Sequence, residues 1–232
     1  MATEVKPEHR TDSSFSRHAL PRVALFAVAL VALALVAFLY VDELRREPPS
    51  PMVCADDAAS ERSTLFADTM TDVALVSMQR VPVMLSELAG ERLTVAVFCS
   101  YKCPCSDGYV DRLRALQERY AARGVAFMGI HASADESIDG MTRYIQRTSY
   151  PLPVYRDDTG IAADAMQATV TPEAFVFDRE WRLRYQGRID DDKSGVAVTE
   201  ESLRLALDTL LAGRPLRTRE KTSLGCAIVR AK

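Results

Sequence analysis

Beyond residue 72, short β-branched runs alternate with stretches of helical spacing. Residues 92–98 (RLTVAVF) and 125–131 (VAFMGIH) are nearly continuous apolar runs, which is typical of strands buried on both faces. Between them, residues 107–124 place apolar side chains at helical spacing and end in glycine, a common helix terminator. This strand–helix–strand order predicts a parallel pair of strands joined by a right-handed crossover.

The second half of this region continues the alternation. Residues 134–149 and 160–168 are predicted helices, and residues 199–213 form the clearest amphipathic helix of the chain. Residues 173–178 (EAFVFD) and 181–189 (WRLRYQGRI) read as two strands joined by a short turn, which predicts an antiparallel hairpin. The expected fold is therefore α/β, with a mixed central sheet covered by helices on both faces.

The N-terminal part contains a long apolar segment. Residues 23–41 (VALFAVALVALALVAFLYV) carry no charge, proline or glycine, and their number is close to the roughly 20 residues that span a bilayer. The segment is longer than the apolar core of a cleaved signal peptide and ends without a clear cleavage site, so it predicts an uncleaved transmembrane helix. Four basic residues precede it and two follow it, which places the N-terminus in the cytosol.

These features give a predicted order of segments along the chain. Its parts are a cytosolic tail (1–22), a transmembrane anchor (23–41), a polar linker (42–71), the α/β domain (72–213) and a C-terminal tail (214–232). The domain then lies outside the cytosol, on the periplasmic side in a bacterium, where disulfide chemistry persists.

The composition argues against two kinds of binding site. The formal net charge is -3 over 232 residues, and no basic stripe interleaves with aromatic side chains, so nothing indicates nucleic-acid binding. The chain has three histidines, and two of them precede the apolar segment, which argues against a histidine-rich zinc site.

Three of the five cysteines fall within residues 98–110 (FCSYKCPCSDGYV). Cys103 follows a predicted strand and precedes a predicted helix, and a helix N-terminus favours the thiolate form of cysteine. Pro104 suits the first turn of that helix. Because the thiolate is the nucleophile of disulfide exchange, Cys103 is the candidate reactive residue.

The cysteine stretch with the strands around it, and the later segment VTPEAFVFDREWRLRYQGRID, resemble the thioredoxin-like redoxin superfamily. The likeness covers residues 72–213 and is strongest to membrane-associated thiol–disulfide and AhpC/TSA-related bacterial members. It implies a thioredoxin-like fold in which Cys103 is the attacking thiol and Pro172 is a cis-proline facing it. It also implies that Pro104, Thr171 and Pro172 adjoin a protein substrate, whose thiols or disulfides react there after it adds as a strand. No dissociable cofactor is expected.

The thiol that resolves the reaction is left open by the sequence. A thioredoxin carries C-x-x-C, but position 106 is Ser106. Cys105 and Cys99 are the two main candidates, although a Cys103–Cys105 bridge would close a very small and strained ring. Cys226 is either a mobile resolving cysteine or part of a packed tail. Cys54 lies in the linker as an idle or intermolecular thiol.

Two alternative functions use the same stretch. A peroxiredoxin-like thiol peroxidase would also use Cys103, but it needs an arginine near the thiolate. Proline occupies the usual place of that arginine at 172, so Arg143 or Arg156 would have to substitute.

A copper-delivery module would bind Cu(I) through Cys99, Cys103 and His131. Residues Cys99 to Pro104 match the pattern C-x-x-x-C-P, and soft thiolates suit Cu(I).

Overall fold

The computed structural model of the chain describes residues 69–231. The predicted transmembrane segment 23–41, the tail before it and Cys54 lie outside the described residues. Within residues 69–231, no helix is long and apolar enough to cross a membrane.

A seven-stranded mixed sheet forms the centre of the domain, in the order β2-β1-β5-β4-β3-β7-β8. Strands β3, β4 and β5 are parallel, and the other neighbouring pairs are antiparallel. A separate two-stranded sheet pairs β6 with β9. The strands are β1 Ala74–Ser77, β2 Pro82–Met84, β3 Leu93–Phe98, β4 Val125–His131, β5 Val154–Arg156, β6 Val170–Thr171, β7 Glu173–Asp178, β8 Leu183–Gly187 and β9 Cys226–Ala227.

Helices pack on both faces of the sheet. The helices are α1 Pro104–Asp107, α2 Val110–Ala121, α3 Ile138–Thr148, α4 Ile161–Ala165 and α5 Ser202–Leu211, with a 3-10 helix at Leu85–Leu88. Apolar side chains of α2, α3 and α5 pack with Val95 and Val97 of β3 on one face. Those of α4 and the 3-10 helix pack with Ala96 and Phe98 on the other face. The alternating side chains of β3 thus serve two core layers, because successive residues of a strand point to opposite faces.

The expected α/β architecture with a mixed sheet is confirmed. The predicted strands 92–98 and 125–131 become β3 and β4 as a parallel pair, and β7 and β8 form the expected hairpin. Five strands were not predicted, namely β1, β2, β5, β6 and β9. Each has only two to four residues, so none carries the long apolar run by which a buried strand is recognised.

The C-terminal segment packs against the domain. The backbone N–H of Gln186 donates to the carbonyl of Arg219, and the N–H of Lys221 donates to the carbonyl of Gln186. Further along, β9 pairs with β6. The chain after α5 therefore runs first beside β8 and then beside β6, the strand that directly precedes Pro172.

Candidate active site

Cys103 lies where the central strand β3 gives way to the first helix. It is the N-cap residue of α1, and Pro104 occupies the first helical turn, where a missing N–H leaves no hydrogen bond unmade. The Cys103 side chain is only 1% exposed, and its thiol donates a hydrogen bond to the carbonyl oxygen of Thr171 at 3.0 Å. The predicted location of Cys103, after a buried strand and at a helix start, is confirmed.

A cis-proline faces the cysteine loop, as the resemblance implied. The Thr171–Pro172 peptide bond is cis, and Pro172 stands between β6 and β7. Thr171 is the residue whose carbonyl oxygen accepts the hydrogen bond from Cys103. The cysteine and the cis-proline segment therefore meet directly through a backbone group.

Cys105 does not pair with Cys103. Cys105 is disulfide-bonded, whereas Cys99, Cys103 and Cys226 are free thiols. The Cys103–Cys105 bridge, one of the two pairings that the sequence left open, is therefore not formed in this structure. Ser106, at the position of the second cysteine in C-x-x-C, is buried, and its hydroxyl has no hydrogen-bond partner among the described residues.

The free thiol that meets Cys103 belongs to the C-terminal segment. The sulfur atoms of Cys103, Cys105 and Cys226 lie within 4.8 Å of one another and form a small buried cluster. Burial, followed by a hydrogen bond with the Cys103 side chain, raises the pKa of the Cys226 thiol from 9.0 to about 12. Cys226 therefore stays protonated at neutral pH beside the Cys103 sulfur. Its sequence signal is weak, because a single cysteine within the short apolar stretch LGCAIV resembles ordinary packing.

Cys99 is not brought together with Cys103. It continues the alternation of Val95 and Val97, so its side chain packs in the layer beneath α2 and α3. Its thiol approaches the carbonyl oxygen of Ile130 at 3.7 Å, and burial raises its pKa from 9.0 to about 12. Cys99 was one of the two main candidates for the resolving thiol, but the alternation of side chains along the strand directs it into a separate core cluster from that of Cys103.

A buried carboxylate holds the start of the cysteine loop. Glu136 accepts a hydrogen bond from the Ser100 hydroxyl and another, at 3.1 Å, from the backbone N–H of Tyr101. Its other close partner is His131, whose Nε2 lies 3.0 Å from a Glu136 oxygen. Glu136 thus joins the loop before Cys103 to the end of β4.

The copper site suggested by the sequence is not assembled. His131 is fully buried and is engaged with Glu136 and, at 3.2 Å, with Arg156. Cys99 packs in the α2 and α3 layer, while Cys103 lies in the cysteine cluster. The three proposed ligands therefore occupy different environments, and His131 serves as a structural partner of a buried carboxylate.

The arginines considered for a peroxidase have other surroundings. Arg156 donates a hydrogen bond to the Ser133 carbonyl at 2.8 Å and pairs with Asp158 at 2.9 Å. Arg143 lies exposed on α3. The nearest described polar partner of the Cys103 sulfur outside the cysteine cluster is instead the carbonyl oxygen of Thr171, which is an acceptor and cannot stabilise a negatively charged leaving oxygen.

Replacing Glu136 by alanine should destabilise the domain by about 2–4 kcal/mol. The change leaves the Ser100 hydroxyl, the Tyr101 N–H and His131 without their shared acceptor in a buried site. Urea unfolding measures the loss. Glu136→Gln is the matched control, because the amide keeps one acceptor oxygen and should destabilise the domain less than alanine does. Equal stability of Glu136→Ala and the unmodified chain would contradict this role.

Comparison with known proteins gives the family. The Redoxin family model matches residues 66–203. Among solved structures, an uncharacterized conserved protein from Geobacillus kaustophilus is 32% identical, with a TM-score of 0.64 over 71% of this chain and 90% of that one. A hypothetical protein from Sinorhizobium meliloti 1021 is 26% identical, with a TM-score of 0.65 over 73% and 97%.

A more distant likeness concerns the fold alone. A putative thiol:disulfide interchange protein DsbE from Chlorobium tepidum is 18% identical, with a TM-score of 0.51 over 62% of this chain and 96% of that one. No match was found among curated proteins. Because the family match spans more than half of the chain and agrees with the cysteine loop and cis-proline described above, this chain belongs to the Redoxin family of the thioredoxin-like superfamily.

Proposed function

We propose that this redoxin is an oxidoreductase that exchanges thiols and disulfides with protein substrates, with Cys103 as the nucleophile and Cys226 as the resolving thiol. The observation that carries this proposal is the meeting of two free thiols, Cys103 and Cys226, beside the Thr171–Pro172 cis peptide. Because a dithiol pair is what a complete exchange cycle needs, the Cys103 and Cys226 pair replaces the C-x-x-C pair that the sequence lacks.

The exchange proceeds in two balanced steps. The Cys103 thiolate attacks one sulfur of a substrate disulfide, forming a Cys103–substrate mixed disulfide and releasing the other substrate sulfur as a thiolate. That thiolate takes up a proton. Cys226 then loses its proton, its sulfur attacks Cys103, and the second substrate thiolate leaves. Two electrons pass from the protein dithiol to the substrate disulfide, which becomes a dithiol, and the same steps run in reverse from an oxidised chain.

A protein substrate fits the surroundings of Cys103 better than a small thiol does. The Thr171 carbonyl is a backbone acceptor that lies next to the reactive sulfur, and Pro104 and Pro172 flank it. An extended substrate segment can add along such a backbone edge. The fold-level likeness to a protein named as a thiol:disulfide interchange protein is consistent with this class of substrate. No bound cofactor is needed for the chemistry.

We also propose that residues 23–41 anchor the domain on the extracytoplasmic side of a membrane. The proposal rests on the uncharged apolar run and the basic residues before it. The full chain should stay in the membrane fraction through an alkaline carbonate wash, and protease added to intact spheroplasts should digest the domain. Release by the wash, or protection from the protease, would contradict the anchor or its orientation.

Exchange with a protein disulfide should be fast, and reaction with hydrogen peroxide should be slow. Peroxide reduction above the rate of an ordinary thiolate requires donors that stabilise the leaving oxygen, whereas Cys103 faces a carbonyl acceptor. Stopped-flow oxidation of the reduced chain and reduction of a test protein disulfide measure the two reactions, with Cys103→Ser as the control for both. A peroxide rate several orders of magnitude above that of free cysteine would favour the peroxidase instead.

A further inference from the structure

The C-terminal segment, residues 225–230, lies along the backbone edge next to the cis-proline. In the β6–β9 pair, Thr171 stands opposite Cys226, and Val170 stands opposite Ala227, in antiparallel register. The N–H of Ile228 donates to the carbonyl of Thr169 at 2.9 Å. The segment is therefore added to β6 as a strand, and it presents a cysteine at the position nearest to Cys103.

Further hydrogen bonds attach this segment to the domain. The N–H of Ala134 donates to the carbonyl of Val229 at 2.8 Å, and the Arg230 guanidinium donates to the carbonyl of Ala168 at 2.6 Å. Ile228 is buried in the core layer that contains α4. Hydrogen bonds and one apolar side chain thus hold the segment in place, without a covalent bond from Cys226.

We infer that residues 225–230 are an internal copy of the substrate, which occupies the site where a substrate strand adds and must leave before a substrate binds. This inference rests on the proposed exchange activity and names the substrate class of the same site. A substrate segment that pairs with β6 in the same register places its own cysteine sulfur beside Cys103. The C-terminal segment and the substrate therefore compete for one edge.

The contacts of the segment specify which substrate fits. A Cβ atom added at Gly225 would lie 2.2 Å from the Thr171 carbonyl oxygen and 2.7 Å from its carbon, so the residue before the cysteine must be glycine. Two residues after the cysteine, Ile228 fills a buried apolar site. The preferred substrate is an extended segment in which glycine precedes the reactive cysteine and a branched apolar residue follows it at the second position.

Competition for the edge also orders the reaction steps. The substrate displaces the segment and forms the mixed disulfide with Cys103. Return of the segment to β6 then brings Cys226 back to the Cys103 sulfur, where its attack releases the reduced substrate. The hydrogen bonds between the segment and β6 block entry of the substrate. They also favour release of the reduced substrate, because they form again when Cys226 returns.

The test compares full-length chains that all lack the Cys226 thiol. The probe is a synthetic peptide, SLGCAIVR, whose cysteine carries thionitrobenzoate in a mixed disulfide, so that attack by Cys103 releases a coloured thiol. The variants are Cys226→Ser alone, Cys226→Ser with Gly225→Ala, and a chain that ends after residue 222. Cys226→Ser with Ala231→Val is the matched control, because it adds bulk at an exposed position just beyond the segment.

The chain that ends at residue 222 and the Gly225→Ala variant should react with the peptide at least about tenfold faster than Cys226→Ser alone. In Cys226→Ser the C-terminal segment occupies the site most of the time, and the apparent rate is the intrinsic rate multiplied by the fraction of molecules whose site is free. The Ala231→Val control should not differ. In the truncated chain, a probe peptide with leucine in place of its glycine should react at least about tenfold more slowly than the original peptide.

Three outcomes separate the two ideas. Equal rates for the truncated chain, Gly225→Ala and Cys226→Ser would overturn the internal-copy inference, as would equal rates for the glycine and leucine peptides. Failure of Cys103 to react in every variant, even with the small disulfide of Ellman's reagent, would instead sink the proposed exchange activity. Peptide mapping by mass spectrometry confirms that the captured probe is on Cys103.

Discussion

Replacing Cys103 by serine should lower the rate of protein-disulfide exchange by at least about a thousandfold. A serine hydroxyl is not ionised at neutral pH, and it cannot form the mixed disulfide that the cycle requires. The substituted side chain would still fit the site, because it is small and can donate to the Thr171 carbonyl as the thiol does. Turbidity or fluorescence of a test protein with reducible disulfides measures the loss.

Cys226→Ser is the informative companion of that variant. It should keep the first step and lose the second, so that a mixed disulfide accumulates on Cys103 and turnover stops after about one equivalent of substrate. Non-reducing electrophoresis and mass spectrometry detect the adduct. Full turnover by Cys226→Ser would show that another thiol resolves the reaction, and normal turnover by Cys103→Ser would remove Cys103 from the mechanism.

Cys99 should resist alkylation in the native chain by a factor of roughly a thousand relative to the unfolded chain at neutral pH. Burial raises the pKa of its thiol from 9.0 to about 12, and each tenfold in thiolate fraction corresponds to one pH unit. The buried position slows the reagent further. Mass spectrometry after iodoacetamide treatment at pH 8, with and without urea, gives the two rates at this residue.

The raised pKa of Cys99 also determines how the free energy of unfolding depends on pH. The folded-state pKa lies above the unfolded value, so folding favours the neutral thiol. The contribution of Cys99 to the free energy of unfolding is complete below about pH 9 and is lost as the pH rises towards about 12. Cys99→Ala is the control, because it cannot titrate and should flatten this part of the pH dependence. Rapid native labelling of Cys99 at pH 8 would contradict its placement in the core.

Several features could be predicted from sequence because their causes are local. The runs at 92–98 and 125–131 are nearly continuous and apolar, and they became β3 and β4. The Cys-Pro at a strand-to-helix boundary placed Cys103 at the start of a helix, since neighbouring residues decide where a helix starts. The Thr-Pro-Glu before the late strand located the cis-proline through family resemblance.

Other features were missed because their signals are short or nonlocal. Strands β1, β2 and β5 contain three or four residues each and owe their extended form to pairing with neighbours. No periodic pattern of that length separates a strand from a loop. Glu136 reads as one acid among many in the sequence, yet in the fold it is a buried partner of Ser100 and His131.

By itself, therefore, the sequence determined the α/β class, the central strands, and Cys103 with Pro172 as the facing pair. Only the tertiary structure decided the partner of Cys103. Cys99 is four residues away along the chain but points into another core layer, because side chains alternate along a strand. Cys226 is remote along the chain but adjoins Cys103, because β9 adds to β6 beside the cis-proline. Proximity of two thiols depends on strand pairing and side-chain direction, which cysteine spacing does not encode.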